Sequence, residues 1–340
     1  MPNETGSIRS GENPEGAIVI WDVTRRNSLL VRGVDAGTYL HSQLSNDIKA
    51  LAPGDSCQSF VLEPTGKVDA LVRVTRLAHD MHIPTEDRVD AYLVDSDANE
   101  EDFNQLIRRL ERFKIRVKAE FVSQSLFMMT ALLIDHREDS GLADSGSVES
   151  RARLSREQLQ SNLKEFSDEA VDLIVVDGWW GNGQVVDVIV LFASDLTIDE
   201  VPPNVVTSVT QALAKSGWMV QRAAPNEIEN WRVRSGWPAM GSEIRPEETI
   251  PAATGIVSRA VSFTKGCYPG QELVERMDSR GSSAPKSLRI IPVAELGPVQ
   301  PGDAISMAGS EVGVATSVTS DFVLAYVLRS VDLGVVVGSS

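Results

Sequence analysis

Lys265-Gly266-Cys267-Tyr268-Pro269-Gly270-Gln271-Glu272 is the stretch on which the reading of this chain turns. It sets one of only two cysteines in a loop beside a lysine, ahead of a helix expected from Pro269 or Gly270 to Met277. Pro269 suits a first helical position, where its fixed φ is pre-set and no N–H is needed. The start of such a helix presents unpaired N–H groups and a partial positive charge. A thiol held there next to Lys265 is expected to ionise more readily than a free cysteine. The competing reading is packing, since free cysteine is often a small buried hydrophobe. Spacing alone does not choose between the two.

The bulk numbers bound the problem. A chain of 340 residues is expected to form two or three compact units. It is 42% hydrophobic and 24% charged, with no apolar run long enough to span a bilayer. Its 48 acidic and 32 basic residues give a net charge of −16, which argues against a dedicated nucleic-acid binder. Neither direct nucleic-acid contact nor a membrane is expected. The polar segment 1–14 reads as a disordered tail and not as a secretory signal. Cys57 and Cys267 form neither a metal-ligand spacing nor a disulfide framework, so no metal site is expected and the cytoplasm is the default compartment. The basic cluster Arg108, Arg109, Arg112, Lys114, Arg116 and Lys118 reads as a solvated helix face.

Hydrophobic periodicity orders the rest. Short strands are expected at 18–21 and 29–31 around a turn at Arg26-Asn27. A helix is expected from about Ala36 to Leu51, capped by Asp35. Strands at 57–62, 67–77 and 89–94 follow, then a helix opened by a capping box at Asp97 and Glu100. Phe103, Leu106, Ile107, Leu110 and Phe113 form its apolar stripe. Strands at 115–121 and 126–133 complete an α+β unit like half a ferredoxin-like fold. Residues 136–150 read as a linker, and 153–166 as a weaker helix. The glycines between 171–176 and 185–192 precede a strand and not a helix, so this is a hairpin and not a dinucleotide loop. A helix over 205–215 and a strand over 218–221 follow. Four short strands between Ser287 and Leu328 suggest a small barrel or sandwich.

The octapeptide, continued by Leu273-Val274-Glu275-Arg276, resembles the signature of YgfZ-type members of the folate-binding GcvT superfamily. Gly33-Val34-Asp35-Ala36, Tyr39-Leu40, Gln43-Leu44-Ser45-Asn46-Asp47, Leu51-Ala52-Pro53-Gly54 and Pro64-Thr65-Gly66-Lys67-Val68 extend the likeness. The resemblance implies an α+β, three-lobed folate-binding fold with ferredoxin-like N-terminal lobes and a C-terminal β-barrel. It divides the chain into a tail (1–14), a folate-binding region (15–235) with one lobe inserted at about 75–150, a cysteine-motif segment (236–284) and the barrel (285–340).

It also implies site residues. Asp69 falls where the superfamily's aminomethyltransferases carry paired acids, but Ala70 stands at the second position, which weakens the case for aminomethyl transfer. Cys267, Lys265 and Asp69 are the expected catalytic residues. Asp69, Arg232, Lys265, Tyr39 and Asp187 are the expected folate contacts, with an acid for the pterin N–H groups, an aromatic wall and a cation for the glutamate tail. Read without the resemblance, Asp69 is an exposed strand-start acid, Arg232 a loop arginine and Asp187 an alternating surface residue. The implied function is tetrahydrofolate binding in support of iron–sulfur cluster assembly or repair in client enzymes, and through them tRNA modification. The implied partners are reduced folate and iron–sulfur client or assembly proteins. The alternatives are a tetrahydrofolate-dependent aminomethyltransferase or demethylase, and a scaffold with a vestigial pocket.

Overall fold

The computed structural model describes residues 17–78, 90–135, 154–166, 171–180, 184–192, 200–279 and 284–338. The expected tail (1–14) and linker (136–150) lie outside the described residues. Strand β1 (Ala17–Arg32) leads into helix α1 (Ala36–Gln43), strands β2 (Ser56–Leu62), β3 (Val68–Arg76) and β4 (Ala91–Ser96), helix α2 (Glu100–Phe113) and strand β5 (Glu120–Asp135). The same helix–strands–helix–strand plan returns with α3 (Arg156–Leu163), β6 (Val171–Asp177), β7 (Val185–Phe192), α4 (Pro203–Lys215) and β8 (Met219–Arg222). The hairpin, the following helix and its return strand are where the sequence placed them.

β1 and β5 differ from expectation. The sequence predicts two short strands in place of each, and each is a single strand of 16 residues, paired from Ala17↔Asp135 to Arg32↔Glu120. The polar middle of β1, Asp22 to Asn27, imitates a turn in the sequence but stays extended because β5 pairs with all of it. These two strands tie both lobes into one eight-stranded sheet, ordered β2-β3-β4-β1-β5-β7-β6, with β8 added parallel to β1. On its other edge β1 meets β8 at Ile18–Trp21 and β4 at Asn27–Arg32. Residues 22–26 fall in the gap between those two partners.

Alternation along the strands sends side chains to opposite faces. On the first lobe's outer face Leu29 and Val31 pack under Leu40 of α1, Leu44 just after it, and Phe103, Leu106 and Leu110 of α2. The second lobe's outer face sets Val19, Met129, Val188 and Val190 under Leu159, Leu163, Val209 and Leu213 of α3 and α4. Each such fully buried aliphatic side chain contributes roughly 1.5–3 kcal/mol. The inner faces close on each other through Leu30, Leu93, Met128, Ile174 and Ile189.

Three local expectations are corrected. α1 stops at Gln43, because Ser45 and Asn46 turn their side chains onto the Ala260 and Arg259 carbonyls, and Asp47 caps a separate 3-10 turn at Ile48–Ala50. The expected Asp35 cap instead accepts from Lys118 N at 2.8 Å. α2 is capped by Asn99, which accepts from Asp102 N, and not by Asp97, while Phe113 at its end is 46% exposed.

After α5 (Glu227–Arg234) and the short α6 (Val257–Ala260), the cysteine motif precedes α7 (Gln271–Ser279). β9 (Lys286–Pro292), β10 (Ala304–Met307), β11 (Ser310–Val318), β12 (Phe322–Leu328) and β13 (Val335–Val336) then form an antiparallel sheet ordered β10-β11-β12-β9-β13. The four expected C-terminal strands are β9–β12, and β13 adds a fifth. The architecture is α+β.

Candidate functional site

The cysteine loop is docked onto the first lobe by two glycines. Gly270 takes φ +79°, and a Cβ there would stand 2.5 Å from the Glu63 carbonyl oxygen and 3.0 Å from Gly66 Cα. Gly66, in the β2–β3 turn, takes φ +85°, and a Cβ there would meet Leu273 at 2.4 Å. The Pro64-Thr65-Gly66 turn and the Pro269-Gly270 turn therefore press backbone against backbone, where no side chain fits. This places the start of α7 one or two residues later than expected: Pro269 and Gly270 form the turn, and the helix begins at Gln271. Cys267 is exposed. It lies in extended loop four residues before α7 and not at the helix start.

Lys265 does not turn to the thiol either. Its ammonium donates to the carbonyls of His41 and Leu44, the end of α1, and lies over the Tyr268 ring at 4.9 Å. A cation suits a helix C-terminus. Burial brings its pKa down to about 8, against a smaller opposing pull from Asp47. On the same patch His41 Nδ1 lies 3.2 Å from Asp47 Oδ1. Burial, aided by Lys265, holds the His41 pKa below its ordinary value. The second cysteine, Cys57, is largely buried, and desolvation pushes its thiol up to about 12.

Asp69 sits on β3 behind the Gly66 turn and is paired. Arg109 of α2 donates to it at 2.9 Å and also reaches Glu63 and the Leu62 carbonyl. Burial raises the Asp69 pKa, with Arg109 opposing. Arg109 is only 12% exposed, so it does not belong to a solvated face. Ala70, in place of a second acid, is buried in the core.

Asp187 is corrected most sharply: it is fully buried on the inner face of β7. It accepts from Arg73 at 2.6 Å, Thr130 at 2.7 Å and the Trp179 N–H at 2.8 Å. Arg73, also fully buried, bonds Asp95 through two nitrogens at 2.9 and 3.1 Å. Arg26 donates to Asp95 at 2.9 Å, with its guanidinium 4.0 Å from the centre of the Trp179 ring. The network is the polar middle of the face where the two lobes meet. One signal in the sequence could have found it: single charges inside apolar strands, as in Leu71-Val72-Arg73-Val74, Leu93-Val94-Asp95 and Val185-Val186-Asp187-Val188. A buried charge must be paired, so such residues mark a network or a site.

Two expected folate contacts are engaged elsewhere. Tyr39 is 4% exposed, with its ring against Phe121 and its hydroxyl donating to the Leu110 carbonyl. Arg232 donates to Glu229, Glu243, Ser317 and the Trp237 carbonyl, tying α5 to the C-terminal sheet. The structure thus brings Asp187 to the centre and sets Asp69 and Lys265 around the docked cysteine loop.

Where the β1 gap meets the start of α2, a cleft of about 600 Å³ opens, lined by Arg26, Ser96, Asp97, Phe103 and Gln124 among others. Asp97 accepts from the Met240 N–H at 3.3 Å through Oδ2. Its Oδ1 is shielded, 3.9 Å from Arg26, without a hydrogen-bond partner among the described residues. Burial raises its pKa, with Arg26 opposing. In the buried core the indoles of Trp179 and Trp237 meet edge to face at 6.2 Å, and neither Nε1–H has a partner among the described residues. Arg259 lies over Trp237 at 4.8 Å. The unpartnered Asp97 oxygen is an acceptor that an N–H-bearing heterocycle in the cleft would satisfy. Asp97 is thus an acid that could accept the N–H groups of a folate head group, while Tyr39 and Arg232 have partners within the fold.

No protein-family profile matches the chain. The tRNA-modifying protein YgfZ of Yersinia pestis (strain Pestoides F) is 35% identical over 82 residues, 23% of this chain and 24% of the relative. The YgfZ of Yersinia enterocolitica is 34% identical over a segment of the same length. The matched part spans about a quarter of the length of these curated relatives. The glycine cleavage system aminomethyltransferase T of Bartonella henselae superposes with a TM-score of 0.57 at 14% identity, over 93% of this chain and 79% of that one.

Proposed function

We propose that the chain is a YgfZ-type protein of the GcvT superfamily, a reading supported by its fold and a partial sequence match, and that it binds a reduced folate in the cleft beside Asp97. We further propose that it thereby supports iron–sulfur cluster assembly or repair in client enzymes, and tRNA modification through them, in the cytoplasm. The observation that carries the reading is the unpartnered Asp97 oxygen on a residue that lines the cleft. Asp97 would accept the pterin N–H groups, with Asn104 and Gln124 of the same lining offering hydrogen bonds to its other polar atoms. When bound, the folate supplies the capacity to carry a one-carbon unit. The protein's own residues hold and orient it, with Asp187 fixing Arg73 and Trp179 in place.

Aminomethyl transfer is the second reading, favoured by Asp69, a half-buried acid whose raised pKa suits proton transfer. Its pairing with Arg109 and the neighbouring Ala70 favour binding over transfer.

Calorimetric titration with 5-formyltetrahydrofolate tests the proposal on wild type, Asp97→Asn and Cys267→Ser. Saturable binding is expected in wild type and Cys267→Ser, and binding about tenfold weaker in Asp97→Asn. No binding to folded wild type would sink the folate reading and favour the scaffold. Cys267 is exposed, so Cys267→Ser is expected to keep the fold and lose in-cell activity. Full complementation by the serine variant would remove the thiol from the mechanism.

A further inference from the structure

The gap along β1 opens a second cleft, on the side of the second lobe, which encloses about 630 Å³. Its floor is made of two cross-strand pairs. Trp21 stands opposite Arg222 where β1 meets β8, and Arg25 stands opposite Phe127 where β1 meets β5. Residues two apart on a strand share a face, so Trp21, Val23 and Arg25 point the same way. The start of α4 supplies the wall with Val201, Pro203 and Val206. The Arg222 guanidinium lies 5.6 Å from the centre of the Trp21 ring and 3.5 Å from Asp22, and it is 69% exposed.

We propose that this cleft binds a flat aromatic monoanion, and that it is a site separate from the folate cleft, with which it shares Arg25 alone in its lining. The volume is in the range of small-molecule sites. Trp21 and Phe127 offer stacking and edge contacts to a ring, and Val23 and Val206 close its sides. Arg25 and Arg222 stand at the rim, where a carboxylate can take a guanidinium in bidentate fashion. Arg222 has only a loose hold on Asp22, so a ligand carboxylate competes on good terms. Glu200 lines the same cleft and repels further negative charge, which selects a single carboxylate over a phosphate dianion.

The test titrates the full chain with 2-naphthoate, followed by calorimetry and saturation-transfer NMR, and repeats it with neutral 2-naphthamide. Two variants at exposed positions leave the core alone: Arg222→Gln removes the rim charge, and Thr207→Trp fills the cleft from α4. Saturable binding is expected for wild type, about fivefold weaker for Arg222→Gln and for the amide, and lost in Thr207→Trp. Titration with 5-formyltetrahydrofolate is expected to give the same result in wild type and both variants, whatever that result is. Wild type that fails to saturate with 2-naphthoate, Thr207→Trp that binds it unchanged, or an amide as tight as the acid would overturn the proposal. Loss of 5-formyltetrahydrofolate binding in Thr207→Trp alone would overturn the separation of the two clefts.

Discussion

The two lobes share a plan of helices and strands but differ in what their inner strands carry. In the second lobe the inner positions of β6 and β7 are apolar, Ile174, Val176, Ile189 and Leu191, with Asp187 the exception. The first lobe buries Arg73, Thr75, Asp95 and Gln58 on β2–β4. Asp187 is the second lobe's answer to Arg73. The outer faces, by contrast, do the same job twice: apolar strands covered by two amphipathic helices. The fold is carried by what the lobes have in common, and the candidate site lies where their inner faces stop being alike.

The largest expected effect comes from breaking that asymmetry. Arg73→Met leaves Asp95 and Asp187 buried without their shared cation, and removing one partner of a buried pair costs about 3–5 kcal/mol. Urea unfolding should show this loss. The ion pair Lys215–Glu165 on the second lobe's outer surface is about half exposed, and Lys215→Met should change stability by less than about 1 kcal/mol. Equal effects at the two sites would mean that the inner network is not the mechanical junction of the lobes.

Next in size is the joint between the first lobe and the cysteine loop. Gly270→Ala forces a side chain into left-handed backbone and against the Glu63 carbonyl. Strain of this kind costs about 1–3 kcal/mol, measurable as a lower urea midpoint, and in-cell activity should fall as the loop undocks. At Gly217, which ends α4 in the second lobe, φ is also positive (+91°) but the space is open, so Gly217→Ala should cost the smaller part of that range.

How much of this was legible follows from where each signal resides. Helices and the β6–β7 hairpin were readable because periodicity is local. The unity of β1 was not, since Arg25-Arg26-Asn27 looks like a turn until β5 is beside it. The cysteine motif and the Gly66 turn were each legible, but their contact was not, because it joins residues two hundred positions apart. In the sequence Asp97 looks like a helix cap, because an acid three residues before Glu100 fits that pattern. Asn99 took the cap and left Asp97 to the cleft.

Asp97 gives the third prediction, through pH. Its pKa is raised in the folded protein, so the folded state holds that proton more tightly than the unfolded chain. Its contribution to stability is then fullest below the ordinary carboxylate pKa of about 3.9 and is lost as pH rises through the raised value. Asp97→Asn should therefore become more stable relative to wild type as pH climbs through that window, while its folate binding weakens. A difference that is flat with pH would mean that the acid is solvated and the cleft is open at that point.

The smallest expected change in stability is the most informative about function. Gly266 and Gly270 flank Cys267 in one loop, yet only Gly270 is required by the fold. Gly266 is not among the positive-φ residues, and a Cβ added there meets nothing within 4 Å. Gly266→Ala should leave the urea midpoint unchanged, within about 0.5 kcal/mol. If the exposed thiol works against a closely approaching ligand or client, the added methyl group stands in that approach, and iron–sulfur enzyme activity in cells should fall toward the level of Cys267→Ser. A Gly266→Ala protein that is both stable and fully active would place the approach to Cys267 on the other side of the loop, toward Tyr268 and the end of α1.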